Sequence, residues 1–446
     1  MPPHLPLWTV APFAALLLLI AFLPLAAPRF WHSNRNKLLV SLAAGLPVVI
    51  YLLAATDHGG GRMAHVALEY AAFISLLGAL YVIAGGIRLK GSLAGTPLTN
   101  TAILGIGAVI ASFIGTTGAS MLLIRPLLRA NESRVRKAHV VVFFIFIVSN
   151  TGGLLTPLGD PPLYLGFLRG VPFLWTFKLA VPWLIMNGAL LAIFNFVDQW
   201  ILDREERERP GAQLEDVQKI KEPLGVEGGF NFLWLGCVIA LIYAAGAWGV
   251  TLLGSRDTVV LVLVGGFWAL GAFSWAITRG EVRSANRFSW APMAEVAAIF
   301  LGIFVTMEPA LKLVAAEGGS LGIRQPWQFF WATGLLSSVL DNAPTYLTFT
   351  ALGTAVVNAA DPGAGLTPDL LEPFAGHPWG APLLAAISCG AVFMGAMTYI
   401  GNGPNFMVKA IAEENQVAMP SFLGYMSWSV AVLVPIFVLL TFTWFR

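Results

Sequence analysis

Apolar runs of about twenty residues, each bounded by charges or turn residues, recur along the chain and predict membrane-spanning helices. They cover 6–27, 37–55, 64–87, 137–155 and 173–202 in the first half. In the second half they cover 230–253, 257–278, 293–314, 379–400 and 419–445. Two further apolar segments, 98–130 and 326–356, are interrupted in the middle. The first breaks at Gly115-Thr116-Thr117-Gly118-Ala119-Ser120 and the second at Asp341-Asn342-Ala343-Pro344-Thr345. Both read as re-entrant helical hairpins; two short full spans would leave the topology unchanged. A third kind of break follows the unbroken run Val140–Val148, where Ser149-Asn150-Thr151-Gly152-Gly153-Leu154-Leu155-Thr156-Pro157-Leu158-Gly159-Asp160-Pro161-Pro162 brings glycines, prolines and an aspartate together. A helix must stop there. Broken backbone inside hydrocarbon is tolerated only against protein or a watery cavity, and a carboxylate there is costly unless it serves an ion or proton pathway.

The breaks repeat. Thr156-x-x-Gly159-Asp160-x-Pro162 matches Thr398-x-x-Gly401-Asn402-x-Pro404 at one offset, which also pairs Gly153 with Gly395. The hairpin tips align more loosely, Thr116–Ser120 against Asp341–Thr345. The predicted architecture is therefore an all-α polytopic membrane protein of about ten spans and two hairpins. Residues 1–202 form one repeat, 203–229 a linker and 230–446 a second repeat. Five spans per half is an odd number, so the repeats are expected to be inverted. Paired discontinuous helices in an inverted repeat point to a transporter's midplane site.

Charge refines this picture. The linker carries 8 acids and 5 bases, which reads as a solvated stretch. With the linker cytoplasmic, 19 of the 26 Lys and Arg lie inside, so both termini are expected outside, in a bacterial inner membrane. Only 11% of the 446 residues are charged and the net charge is +2, so nucleic acid is not an implied partner and the lipid bilayer is. Cys237 and Cys389 sit in apolar runs and read as packing residues. The histidines (His4, His32, His58, His65, His139 and His377) show no metal spacing and read as solvated or interfacial.

Hard cations need several oxygen ligands, which helix breaks and hydroxyl or amide side chains supply. The candidates for cation or substrate binding are Thr116, Thr117, Ser120, Asn150, Thr151, Thr156, Gly159, Asp160, Asp341, Asn342, Thr345, Thr398, Asn402 and Asn405. Asp160 and Asp341 are the candidate proton carriers, with Glu69 a further one. Competition of H⁺ and Na⁺ for one carboxylate suffices for antiport. Glu308 near Lys312 reads as an ion pair, and Glu295 as interfacial.

Ser149–Gly153, Thr156–Pro161, Asp341–Pro344 and Gly401-Asn402-Gly403-Pro404-Asn405 resemble the ion transporter superfamily, with its NhaD-type sodium/proton antiporters and citrate-transporter-like group. The resemblance implies hairpins meeting from opposite faces, often a homodimer, and an elevator motion. On that pattern 1–97 and 230–320 form a scaffold, while 98–202 and 326–446 move. Sodium-coupled carboxylate relatives carry Ser-Asn-Thr at both tips; this chain does not, which favours transported Na⁺ (or Li⁺) and H⁺, with no bound cofactor. A citrate or dicarboxylate cargo with Na⁺ or H⁺ is the alternative. An intramembrane aspartyl protease would pair Asp160 with Asp341, but Pro157-Leu158-Gly159-Asp160 lacks a Gly-x-Gly-Asp signature, so no enzyme is expected.

Overall fold

The computed structural model describes residues 6–55, 59–91, 93–208, 223 and 225–446, and the backbone alone of Leu25. The first half contains α1 (Ala11–Ala26), α2 (Asn34–Ala55), α3 (Gly59–Ala84), α4 (Pro97–Ile114), α5 (Thr116–Ala130), α6 (Ala138–Ile147), α7 (Pro161–Leu168) and α8 (Ala180–Glu208). The second contains α9 (Phe230–Leu253), α10 (Arg256–Ile277), α11 (Ala291–Glu317), α12 (Pro326–Ser337), α13 (Asn342–Ala360), α14 (Gly380–Met394), α15 (Gly403–Glu414) and α16 (Phe422–Thr443). Side-chain caps begin several of them: the hydroxyls of Thr96, Ser255 and Ser421 accept from the backbone of α4, α10 and α16. The chain is an all-α polytopic membrane protein.

Ten helices among the described residues are long and apolar enough to cross a membrane, but they are not the ten the sequence predicts. Pro97–Ile114 joins the set, and the span expected at 137–155 leaves it. That span is the half-helix α6, whose ten residues reach about 15 Å, half of a bilayer core. Every residue from His139 to Ile147 is buried, so other protein surrounds α6. By contrast, only 22% of the best apolar window of α2, α9 or α10 is buried, which leaves those helices to face lipid.

Both interrupted segments fold back on themselves. Gly115, at φ +82°, turns α4 into α5, a backbone conformation that favours glycine. At the far end of the legs Asn100 and Asn131 exchange amide hydrogen bonds of 2.9 and 2.8 Å. Nearer the turn, Gly107 lies so close to Leu123 that an added Cβ would be 3.0 Å from its side chain. In the second hairpin the rings of Phe329 and Phe349, on opposite legs, lie 6.4 Å apart. The first leg α12 packs on α14, where a Cβ on Gly390 would stand 2.5 Å from the Phe330 carbonyl. Elsewhere α2 packs on α11 and α3 on α10, so the halves interlock.

Two expectations need correction. Residues 203–208 continue α8, and Gly225–Glu227 (β2) pairs antiparallel with Arg88–Lys90 (β1), so the described ends of 203–229 are ordered elements. Glu227 meets Lys90 at 2.9 Å and Arg88 at 3.2 Å, and these cations hold its half-buried carboxyl below the usual range. Residues 209–222 and Leu224 of that stretch, like His4 and His58, lie outside the described residues. Finally, His139 is buried: its Nε2 is 2.7 Å from Asp198, which also holds Arg134 at 2.6 Å. The periodicity of the 173–202 run hides Asp198 because the partners that neutralise it come from the base of the first hairpin. The ion pairs of Glu308 with Lys312 (2.6 Å) and of Glu295 with Lys37 (2.7 Å) are formed.

Candidate functional site

The two helix breaks share one backbone frame. In the first, Asp160 is extended (φ −145°, ψ 144°) and caps α7, whose first positions are Pro161 and Pro162. In the second, Asn402 (φ −152°, ψ 142°) caps α15, with Pro404 in its first turn. Proline suits these positions because their N–H groups would have no helical partner. Thr156 donates its hydroxyl to the Ser112 carbonyl and accepts from Leu158 N at 3.1 Å. Thr398 repeats this, donating to the Ser338 carbonyl at 2.5 Å and accepting from Ile400 N at 3.2 Å. A Cβ on Gly159 or Gly401 would run into the carbonyl of Gly153 or Gly395, so both loops close only over glycine.

These threonine bonds also set the register of the hairpins. Ser112 and Ser338 play the same part, which makes Thr116 the counterpart of Asn342. The sequence alignment of the tips is therefore shifted by one residue, because no glycine or proline common to both tips marks the turn.

The Asp160 carboxylate is where the four elements converge. Its Oδ1 accepts from Thr116 Oγ1 at 3.0 Å and from Asn402 Nδ2 at 3.1 Å, and its Oδ2 accepts from Asn342 Nδ2. Thr116 comes from the first hairpin, Asn342 from the second, and Asn402 from the second break. Asp160 is 1% exposed, and no Lys or Arg among the described residues bonds to it. Thr116 N also donates to the Gly159 carbonyl at 2.9 Å, which ties the hairpin tip to the break. The amide oxygen of Asn342 is buried and has no donor among the described residues.

A family model described as "putative citrate transport" matches residues 2–445. The chain belongs to that family. No curated protein matches it. This citrate-transport family member is a transporter built of membrane helices, and its remaining candidate residues divide into three groups.

An inner group joins the breaks to each other. Asn150 Nδ2 donates to Asn405 Oδ1 at 2.7 Å, and Asn402 Nδ2 lies 3.2 Å from Asn150 Oδ1. Asn405 in turn donates to the Gly395 and Thr398 carbonyls at 2.8 and 2.9 Å, and Ser120 meets the Ser149 hydroxyl at 2.8 Å. A second group caps the second hairpin: half-buried Asp341 accepts from Ala343 N at 3.1 Å, and Thr345 Oγ1 donates to the Asp341 carbonyl at 2.9 Å. Asp341 is thus adjacent in sequence to a ligand of Asp160 without bonding to it. A third group points elsewhere. Thr151 donates to Asn187 on α8 at 2.7 Å. Glu69 lies apart from the centre and forms a two-pronged ion pair with Arg169, 3.2 Å at each contact.

Thr117 and Gly159 line a cavity of about 60 Å³, enclosed by Tyr81 and Leu77 of α3, Pro292 and Met293 of α11, and the N-terminal ends of α5 and α7. That is room for a few waters or a bare ion beside Asp160. Sequence reasoning missed Ser112, Ser338 and Asn187. Each lies in an apolar run, Ser338 directly after Ser337, with no local signal to separate it from a packing residue.

Proposed function

We propose that this transporter works by alternating access and exchanges Na⁺ for H⁺ at Asp160. The observation that carries the reading is one buried carboxylate held by hydroxyl and amide groups from both halves, with no Lys or Arg among the described residues bonded to it. Such a carboxylate is stable only with a cation or a proton, and either can replace the other. The unsatisfied amide oxygen of Asn342 is a further ligand, and Asp341 is its neighbour in the chain. The Thr116 hydroxyl and the Gly159 carbonyl add oxygens to a shell of the kind Na⁺ prefers.

Among the described residues, each side chain that hydrogen-bonds the Asp160 carboxylate belongs to a hairpin or a broken helix. The centre can therefore travel as one unit, α4–α8 with α12–α16, against α1–α3 and α9–α11. The cavity lies on that boundary, between Thr117 and Tyr81. With 203–229 on the cytoplasmic side and both termini outside, most bases stay inside.

The family description favours a second reading, in which the same cation centre drives uptake of a citrate-like carboxylate. Four helix N-termini (α5, α7, α13 and α15) converge on the breaks, and such ends attract anions. One experiment separates the two. The protein is reconstituted in liposomes, and internal pH is recorded on adding Na⁺, Li⁺ or K⁺, then citrate, succinate or malate. A cation-driven pH change without carboxylate supports exchange. A response that requires carboxylate overturns exchange in favour of the second reading.

A further inference from the structure

Few bases of the hairpins and broken helices are available to an anion. Arg134, Arg169 and Lys409 are paired with Asp198, Glu69 and Glu413, at 2.6, 3.2 and 2.7 Å. Arg125 differs. It lies half-buried on α5, and its Nη1 is shielded from solvent with no acceptor among the described residues. Its charged neighbours are the cations Arg287 and Arg129 and one anion, Glu414, which already pairs with Arg287 at 3.5 Å. Local charge is therefore positive, and a donor kept from water without a partner is unfavourable.

The position of Arg125 is as informative as its charge. Thr117, Met121 and Arg125 are spaced four apart and so form one stripe along α5. Thr117 lines the cavity beside Asp160, and Met121 packs with Tyr81 and Met293, which line it too. The Arg125 Cα lies about 12 Å along the helix from that of Thr117, and side chains lean toward the helix N-terminus, here the cavity. Arg125 is thus one helical step beyond Met121, which packs on the cavity wall.

We propose that Arg125 is an anion-recognition residue at the mouth of this cavity, binding one carboxylate of a di- or tricarboxylate on its way to the Asp160 centre. The planar fork of a guanidinium matches a carboxylate in two-pronged geometry. A second carboxylate, reaching inward, would meet the N-terminus of α5 at Thr117 and Gly118. The inference rests on the second reading, carboxylate uptake.

The test is carboxylate uptake into liposomes that hold wild-type protein, R125Q or R125K, with succinate and citrate as probes. Purified samples are first checked for equal melting temperature. We expect R125Q to raise KM about tenfold, the loss of one charge-assisted pair, with little change in maximal rate. R125K should recover part of the difference, and a monocarboxylate should show a smaller one. Uptake by wild type with an unchanged KM in R125Q overturns the role of Arg125 and leaves carboxylate uptake standing. A fall in maximal rate alone also overturns it, since that marks a structural role. If wild type moves neither succinate nor citrate, the carboxylate reading and this inference fall together.

Discussion

The first and second helix breaks have nearly the same backbone and opposite electrostatics. Each places an extended residue before a proline-started half-helix, and each is closed by a threonine hydroxyl on a hairpin carbonyl. Yet the first carries Asp160 and the second Asn402, and the amide of Asn402 donates to the carboxylate of Asp160 at 3.1 Å. Two carboxylates at such a distance could not both stay ionised. One acid and one amide in matching frames therefore yield a single charge with a built-in donor. The outgoing half-helices differ as well. Beyond α7, Arg169 is locked to Glu69 on α3 in a buried pair, whereas α15 ends in the exposed pair Glu414–Arg287 at 3.5 Å. The two breaks share a frame, and a few side chains that differ make one half charged and tie it to α3.

The largest expected effect comes from removing that charge. Asp160→Asn should reduce cation-driven proton movement in liposomes to the protein-free level while the protein still purifies as a single species. Unchanged transport would remove Asp160 from the proposed centre. A sharper probe is the exchange D160N/N402D. If the frames are interchangeable, the double variant should regain a measurable part of the wild-type rate; complete inactivity in a folded sample would show that the surroundings, not the frames, select the acid's position.

Effects on stability come next. Glu69→Gln strands the buried Arg169 guanidinium and should cost about 3–5 kcal/mol, read as a lower melting temperature in detergent. Glu414→Gln, at the equivalent end of the other half, should cost only about 0–1 kcal/mol. Equal shifts would contradict the difference in anchoring. Smallest is the change that tests sameness: Thr156→Val and Thr398→Val each leave a buried carbonyl and an amide unpaired, about 1–3 kcal/mol. The two shifts should agree closely, and a clear disparity would mean that the breaks are not equivalent.

Much of this was legible along the chain, for identifiable reasons. Glycine and proline announce a break wherever they fall, so both breaks and their common offset could be read directly. Apolar length alone located the spans, but it could not tell that 138–147 is a buried half-helix, since lipid and protein interior are equally apolar. The hairpin tips were aligned one residue out because their register depends on Ser112 and Ser338, which contact residues more than forty positions away. Sequence alone makes Glu69 a candidate proton carrier because its partner Arg169 lies 100 residues later and nothing local links the two.

By itself the order of residues determined that this is a membrane protein of repeated helices with polar gaps at matching places. Hydrophobicity and backbone-breaking residues act locally, so their message survives in one dimension. Tertiary structure alone decided which polar groups meet. Asp160 acquires its neighbours from positions 116, 342 and 402, and Arg125 its isolation from the pairing of other bases around it. Coordination and charge balance depend on distance through space, and only the packed chain sets those distances.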